Sequence, residues 1–200
     1  ERKFSINPIL NSFQIVVHKY DISLELIDTF LESMAMDLKH IKYDQKNYDK
    51  YILGSAEVVG LMCLRLFTNS NSEYEKLKPY AMYLGSAFQK VNFLRDLKED
   101  YEDLGRIYFP NVDIDNFSFD KLAIEEDIEN DFKMALKGIR LLRPKARLGV
   151  YVAYIYYKQL LFKIKGFDSL RIKNERIRIA NYQKLILMIS SIVRYRLRII

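Results

Sequence analysis

The sequence predicts an all-α fold in a single domain. Glycine and proline are scarce, at 7 and 4 of 200 residues. Apolar residues recur at helical spacing along most of the chain and make up 50% of it, enough for a sizeable core. No internal repeat or low-complexity segment interrupts this pattern.

The elements follow in order. Asn7-Pro8 reads as an N-cap and first-turn proline opening a helix to about Lys19, with Phe13, Val16 and Val17 inward. A second helix is expected from about Ser23 to Ile41, with Leu24, Ile27, Leu31, Met34 and Leu38 on its core face. A third, from about Asn47 to Thr68, is apolar almost all round and should be central. Its Gly54, Ser55, Ala56 and Gly60 mark a place where a neighbour or ligand comes close. Ser72-x-x-Glu75 is expected to cap the next helix, Pro79 to allow a kink, and Gly105 to end it. After a loop to Asn116, a helix capped by Ser118 or Asp120 should run to about Leu142, with Leu122, Ile128, Phe132, Ala135 and Ile139 inward. Arg143-Pro144 breaks it. A tyrosine-rich helix from Ala146 to Lys165 and a basic amphipathic one from Ile177 to Ile200 complete the chain.

Charge is unevenly spread. From Ile139 onward there are 15 basic and 2 acidic residues, against 17 and 24 before it. A basic C-terminal third suits an anionic partner. No nucleic-acid motif accompanies it, which leaves plain solvation of the helix backs or peripheral contact with a membrane, on a cytoplasmic protein; oligomeric state is open. No signal peptide and no span-length apolar run is visible. Cys63 excludes an internal disulfide and is expected in the core, while His18 and His40 are too far apart to suggest a metal pair.

The most informative stretch runs from Tyr83 to Pro110. Wound as a helix, it puts Gly85, Gln89, Asn92, Asp96, Glu99, Asp100 and Asp103 on one narrow stripe between apolar flanks. A thin polar line on an apolar cylinder implies a polar-lined cavity, because unpaired buried polar groups are costly. Two carboxylates ~4 Å apart repel by about 4 kcal/mol at an effective dielectric of ~20. A raised pKa, a cationic side chain or a metal must offset that. Oxygen-only ligands favour Mg²⁺ or Mn²⁺. Asp96-x-x-x-Asp100 thus has the form of a diphosphate clamp, though a solvated acidic helix end has the same spacing.

Gln89-x-x-Asn92-x-x-Arg95-Asp96-x-x-x-Asp100, followed by Gly105-Arg106-Ile107-Tyr108-Phe109-Pro110, resembles the second aspartate-rich motif of the squalene/phytoene synthase family. The resemblance begins at Asn7-Pro8 and covers nearly all that follows. It implies an isoprenoid synthase helical bundle and head-to-head condensation of two prenyl diphosphates, farnesyl or geranylgeranyl. The products are C30 or C40 isoprenoids such as phytoene, squalene or dehydrosqualene. NADPH enters only for squalene. By the same resemblance, Asp96 and Asp100 would hold Mg²⁺ with Glu99 assisting, and Gln89 and Asn92 would orient metal-bound water or diphosphate. Arg95 and Arg106 would contact diphosphate. Tyr51 would face the reacting carbons, Ser55, Val58, Val59 and Gly60 would line a prenyl tunnel, and Tyr157 would oppose them. Glu57 stands where the family usually has glycine, and Asp37 matches a family aspartate that reads more readily as a surface or packing carboxylate than as a metal contact.

The family's first aspartate-rich motif has no counterpart here. Before Tyr51 the acid pairs at that spacing are Asp21/Glu25 and Asp28/Glu32, the latter downstream of where the motif belongs. The chain, which opens at Glu1, therefore reads as a fragment holding one of two metal-binding walls and as inactive alone. A non-catalytic assembly or scaffold protein of the same fold is the alternative.

Overall fold

The computed structural model describes residues 4–39, 43–110, 112, 117–168, 171–172 and 175–199, and every element among them is helical. Helix α1 spans Pro8–Lys19, with the Asn7 side chain accepting from the Ile9 and Leu10 N–H groups. Helix α2 spans Leu24–Met36, capped by Ser23. It stops short of the expected end near Ile41, a residue outside the described set, and releases Asp37 as its C-cap. Leu24, Leu31 and Leu38, expected inward, are 67%, 56% and 87% exposed, and Phe13 is exposed as well. The face of α2 that is buried carries Ser33 and Met36 instead.

The expected third helix is one helical run in three parts: α3 Gln45–Ile52, a π-helical turn Leu53–Glu57, and α4 Val58–Phe67. The small residues serve close packing. A Cβ on Gly54 would lie 2.5 Å from the Ser33 Cβ and 2.6 Å from the Thr29 carbonyl oxygen. One on Gly85 would lie 2.6 Å from the Ala56 carbonyl oxygen, so α5 crosses the π turn almost backbone on backbone.

Helix α5, Asn71–Arg95, is the central element. Its cap is Ser70, which accepts from the Glu73 N–H, while Glu73 accepts from the Asn69 N–H. The cap thus lies two residues before the expected Ser72, where the same Ser-x-x-Glu spacing occurs. Pro79 sits inside α5 without ending it. The helix does not run unbroken to Gly105. Asp96, at φ −98° and ψ 6°, separates it from the short α6, Leu97–Glu102. The turn stays hydrogen-bonded, with Asp96 N–H to Asn92 and Asp100 N–H to Asp96. Gly105 has φ +62°, the left-handed conformation that favours glycine there, and Arg106 N–H returns to the Asp100 carbonyl.

Helix α7, Phe117–Leu141, and helix α8, Pro144–Lys165, form the opposite wall. Ile128, Phe132, Ala135 and Ile139 are buried as expected, but Leu122 is 68% exposed. The Ser118 side chain, one of two expected caps, lies outside the described residues. Helix α8 starts at Pro144 rather than Ala146, because proline's fixed φ suits the first turn. The last helix, α9, is Asn181–Arg196. It starts later than Ile177 because Ile177 and Ile179 are buried in the non-helical segment before it. Cys63, expected in the core, is exposed on the wall of a groove.

Candidate active site at the acidic end of α5

The helix break at Asp96 turns the end of the polar stripe into a cluster rather than a line. Asp96 is bracketed by two guanidiniums. Arg95 Nε donates to its Oδ1 at 2.9 Å. Arg176, from the segment before α9, pairs with Asp96 Oδ1 at 2.9 Å through Nε and with Glu99 Oε2 at 2.8 Å through Nη1. Asp100 lacks such a partner in this set. Burial, and then the Asp96 charge, push its carboxyl up to about 6. The Arg106 charge opposes both.

Beside them, Asp37 gathers side chains from two segments. Tyr51 donates its hydroxyl to Asp37 Oδ2 at 2.9 Å, Arg106 Nη1 lies 3.4 Å from Oδ1, and the Tyr108 hydroxyl is 3.5 Å from Oδ1. Burial in an aromatic cluster with Tyr43, Phe93 and Tyr108 drives the Tyr51 phenol upward, so it is a neutral donor at any physiological pH. Tyr51 is packed behind the acidic end and does not line the groove described next.

That groove, about 620 Å³, runs between α4, α5, α7 and α8. Ser55, Val59 and Gly60 form one wall, and Asn92 and Tyr157 stand at the end nearer the acids. Tyr157 donates to Asn92 Oδ1 at 3.2 Å and stacks on Phe88 with ring centroids 3.9 Å apart. The Ser55 hydroxyl is buried without a partner in this wall. The far end is reached at Leu142, Lys145 and Ala146. Most of the lining is apolar.

Of the residues singled out in the sequence, Asn92, Ser55, Val59, Gly60 and Tyr157 meet in the groove, while Arg95, Asp96, Glu99 and Asp100 cluster beyond it. Arg106 and Tyr51 join the Asp37 network. Gln89 is half-buried one turn before Asn92. Val58 is 2% exposed and belongs to the core. Glu57 does not shape the groove. It lines a separate polar cavity of about 450 Å³ with Tyr48, Asp49, Lys90 and Asp127.

Sequence reasoning missed two features. Arg176 was one of several tail cations; only its position between the acids and the buried Ile177 separates it from them. Lys90 is buried, with Nζ 2.8 Å from Asp131, which also accepts from Ser86 Oγ at 2.8 Å. The spacing of Lys90 from the acids of α7 gave no signal for this ion pair.

Glu57 yields a pH prediction. Burial pushes its carboxyl up to about 7, opposed by Lys90. Between ~4.5 and 7 the folded chain keeps a proton that the unfolded chain has lost, so this residue increasingly destabilises the fold as pH rises, fully so above 7. Glu57→Gln should therefore melt higher than wild type at pH 8, with the gap closing towards pH 4.5. Parallel thermal melts across that range check it, and a gap that widens on acidification would contradict it.

Among the described residues no group of three or more His, Cys, Asp or Glu side chains could hold a metal ion on its own. Asp96 and Glu99 are ion-paired with Arg176, and their donors, like those of Asp100, are hard oxygens of the kind Mg²⁺ takes.

Residues 1–183 match the family model described as squalene/phytoene synthase. The chain is 29% identical over 175 residues to the chloroplastic phytoene synthase of Narcissus pseudonarcissus, covering 76% of this chain and 40% of that one. It is 26% identical over 193 residues to the 15-cis-phytoene synthase of Synechocystis sp., covering 84% and 57%. The chain thus spans about half the length of the curated relatives it matches. A crystal structure of a dehydrosqualene synthase in complex with ligand superposes with a TM-score of 0.80 at 21% identity, over 97% of this chain and 73% of the other, and shows the same all-α fold. On the extent of the family match, together with that fold, this chain belongs to the squalene/phytoene synthase family.

Proposed function

We propose that the protein containing this chain condenses two prenyl diphosphates head to head, to phytoene or another C30 or C40 isoprenoid. The observation that supports this best is the junction at Asn92. An acidic, arginine-flanked cluster meets an apolar groove there, so one molecule with a diphosphate head and a long hydrocarbon tail fits both.

In this reading Asp96 and Asp100, with Glu99, hold Mg²⁺ or Mn²⁺ alongside the diphosphate. The metal supplies charge stabilisation as the diphosphate leaves. Arg95, Arg106 and Arg176 add donors suited to phosphate oxygens. Arg176 now spends its guanidinium on Asp96 and Glu99. With those acids neutralised, Arg176 would be free to donate to an incoming phosphate. Asn92, with Gln89 one turn earlier, orients the head group, and Tyr157 fixes the Asn92 amide. The aromatic and apolar walls keep water from the cationic carbon that ionisation leaves. Tyr51, kept neutral by burial and donating its hydroxyl to Asp37, contributes its ring and hydroxyl dipole to that end of the site. Nicotinamide use is expected only if the product is squalene, and the relatives named above as phytoene synthases favour a product formed without it.

The test is binding. A prenyl thiodiphosphate, which resists ionisation, should bind the full-length protein much more tightly with Mg²⁺ than with EDTA. Asp96→Asn should erase that difference, and affinity independent of metal would sink the clamp. Arg176→Ala should weaken inorganic diphosphate at least tenfold in the same titration, and an unchanged affinity would leave Arg176 a structural ion pair. The 200-residue chain alone is expected to form no measurable product, because its residues supply one carboxylate wall; measurable turnover would show that wall to be sufficient.

A further inference from the structure

Among the described residues, three buried side-chain oxygens have no hydrogen-bond partner: the Tyr43 hydroxyl, the Ser55 hydroxyl and Glu125 Oε1. Glu125 Oε1 still faces Lys121 Nζ at 2.6 Å, and Ser55 belongs to the groove wall. Tyr43 lies elsewhere, in the turn before α3, where Asp44 caps that helix by accepting from the Asn47 N–H. It is 5% exposed, so residues of this chain already enclose it. Its ring meets Tyr51 edge-on at 5.6 Å and Tyr108 at 4.7 Å, the two tyrosines whose hydroxyls reach Asp37. A buried hydroxyl left unpaired costs stability, and such groups are rare in folded proteins.

The neighbouring acceptor is correspondingly under-used. Asp37 Oδ2 accepts the Tyr51 hydroxyl at 2.9 Å. Oδ1 has Arg106 Nη1 at 3.4 Å and the Tyr108 hydroxyl at 3.5 Å, both at the outer limit of a hydrogen bond. Arg106 grips this segment through its other nitrogen, Nη2, which donates to the Asp37 backbone carbonyl. Nη1 is thus the freer prong of the fork. Burial drives the Tyr43 phenol upward, Tyr108, Asp37 and Asp100 add to that and Arg106 opposes it, so the hydroxyl is a neutral donor lying in the field of all three charges.

We propose that Tyr43 is a positioning residue: when Arg106 Nη1 turns to a phosphate oxygen, the Tyr43 hydroxyl takes its place on Asp37 Oδ1. The exchange rests on the diphosphate reading of the site. Asp37 then keeps a donor on each carboxylate oxygen, and its carbonyl still anchors Arg106 through Nη2. Without the exchange, Arg106 reaches the phosphate only by leaving a half-buried carboxylate short of a donor. The unpaired hydroxyl destabilises the ligand-free protein and gains its partner on binding, a local conflict of the kind that functional sites retain.

The test uses the full-length protein and inorganic diphosphate with Mg²⁺. Tyr43→Phe keeps the ring and removes the hydroxyl. Without ligand the variant should melt about 2 °C or more above wild type, because an unsatisfied buried group is gone. With Mg²⁺ it should bind diphosphate about tenfold more weakly, the contribution of one hydrogen bond to a charged acceptor. Loss of packing alone would not raise stability and lower affinity together. A double-mutant cycle reads the coupling. In an Asp37→Asn background, where no carboxylate charge needs a donor, Tyr43→Phe should change diphosphate affinity by less than about twofold. Unchanged affinity in Tyr43→Phe, a lower melting temperature without ligand, or an equal loss of affinity in both backgrounds would each overturn the proposal, the second by showing that the hydroxyl already has a partner. Failure of wild type itself to bind diphosphate with Mg²⁺ would bring down the diphosphate reading and this inference together, whereas wild-type binding that Tyr43→Phe leaves intact removes the inference alone.

Discussion

Asp96→Asn or Asp100→Asn, made in the full-length protein, is expected to lower product formation by ~10²–10³-fold, the usual loss when one preorganised stabiliser of a developing charge is removed. The physical ground is the distribution of charge at the end of α5. Asp96 has Arg95 and Arg176 against it, while Asp100 is half-buried and pushed up to about 6, first by burial and then by the Asp96 charge. Negative charge builds on the diphosphate only as the bond to carbon breaks, so the loss should fall mainly on kcat rather than KM. Steady-state kinetics with saturating Mg²⁺ separate the two. A change confined to KM would mean that these carboxylates merely bind the ground state.

Phe132→Ala is expected to cost ~3–5 kcal/mol of stability, the range for deleting a fully buried aromatic ring. Phe132 is wholly buried on α7, with the Phe88 ring 6.3 Å away and the Tyr154 ring edge-on at 5.4 Å. Losing it opens a void behind Phe88, whose stacking on Tyr157 helps set the Asn92 end of the groove. Thermal melting should fall by roughly 10 °C for a chain of this size. Leu122→Ala on the same helix is the internal control. Leu122 is exposed and should change stability by less than ~0.5 kcal/mol. Equal losses for the two would contradict the assignment of the core.

Much of this was legible in the sequence because local chemistry carries it. The Asn7-Pro8 cap, the Arg143-Pro144 break and the Gly105 stop each depend on one residue's backbone freedom or side-chain reach, and each stands where the sequence puts it. Inward positions of α7 were readable because one face of that helix alternates cleanly with charge. The errors have physical sources too. Periodicity reports that a face is apolar, not what covers it, so Leu24, Leu31 and Leu38 looked internal and lie exposed. The cap of α5 slipped because Ser70-x-x-Glu73 and Ser72-x-x-Glu75 carry the same signal two residues apart. The stripe from Gln89 to Asp100 was legible because Gln89 and Asn92 extend the acids along an otherwise apolar helix, a line that needs something polar to face. The helix break at Asp96 was not, because it follows from tertiary contacts rather than from any breaker residue. Arg176 and Asp37 needed the fold itself: each is 69 or more residues from the acids or arginine it joins in space.

The most direct test of the central claim is the product. The full-length protein, incubated with labelled geranylgeranyl or farnesyl diphosphate and Mg²⁺, should release inorganic diphosphate and yield a hydrocarbon of twice the substrate's chain length, extractable into hexane and absent when Asp96 is Asn. Recovery of only unreacted diphosphate or the simple prenyl alcohol, from an enzyme shown to be folded, would contradict it.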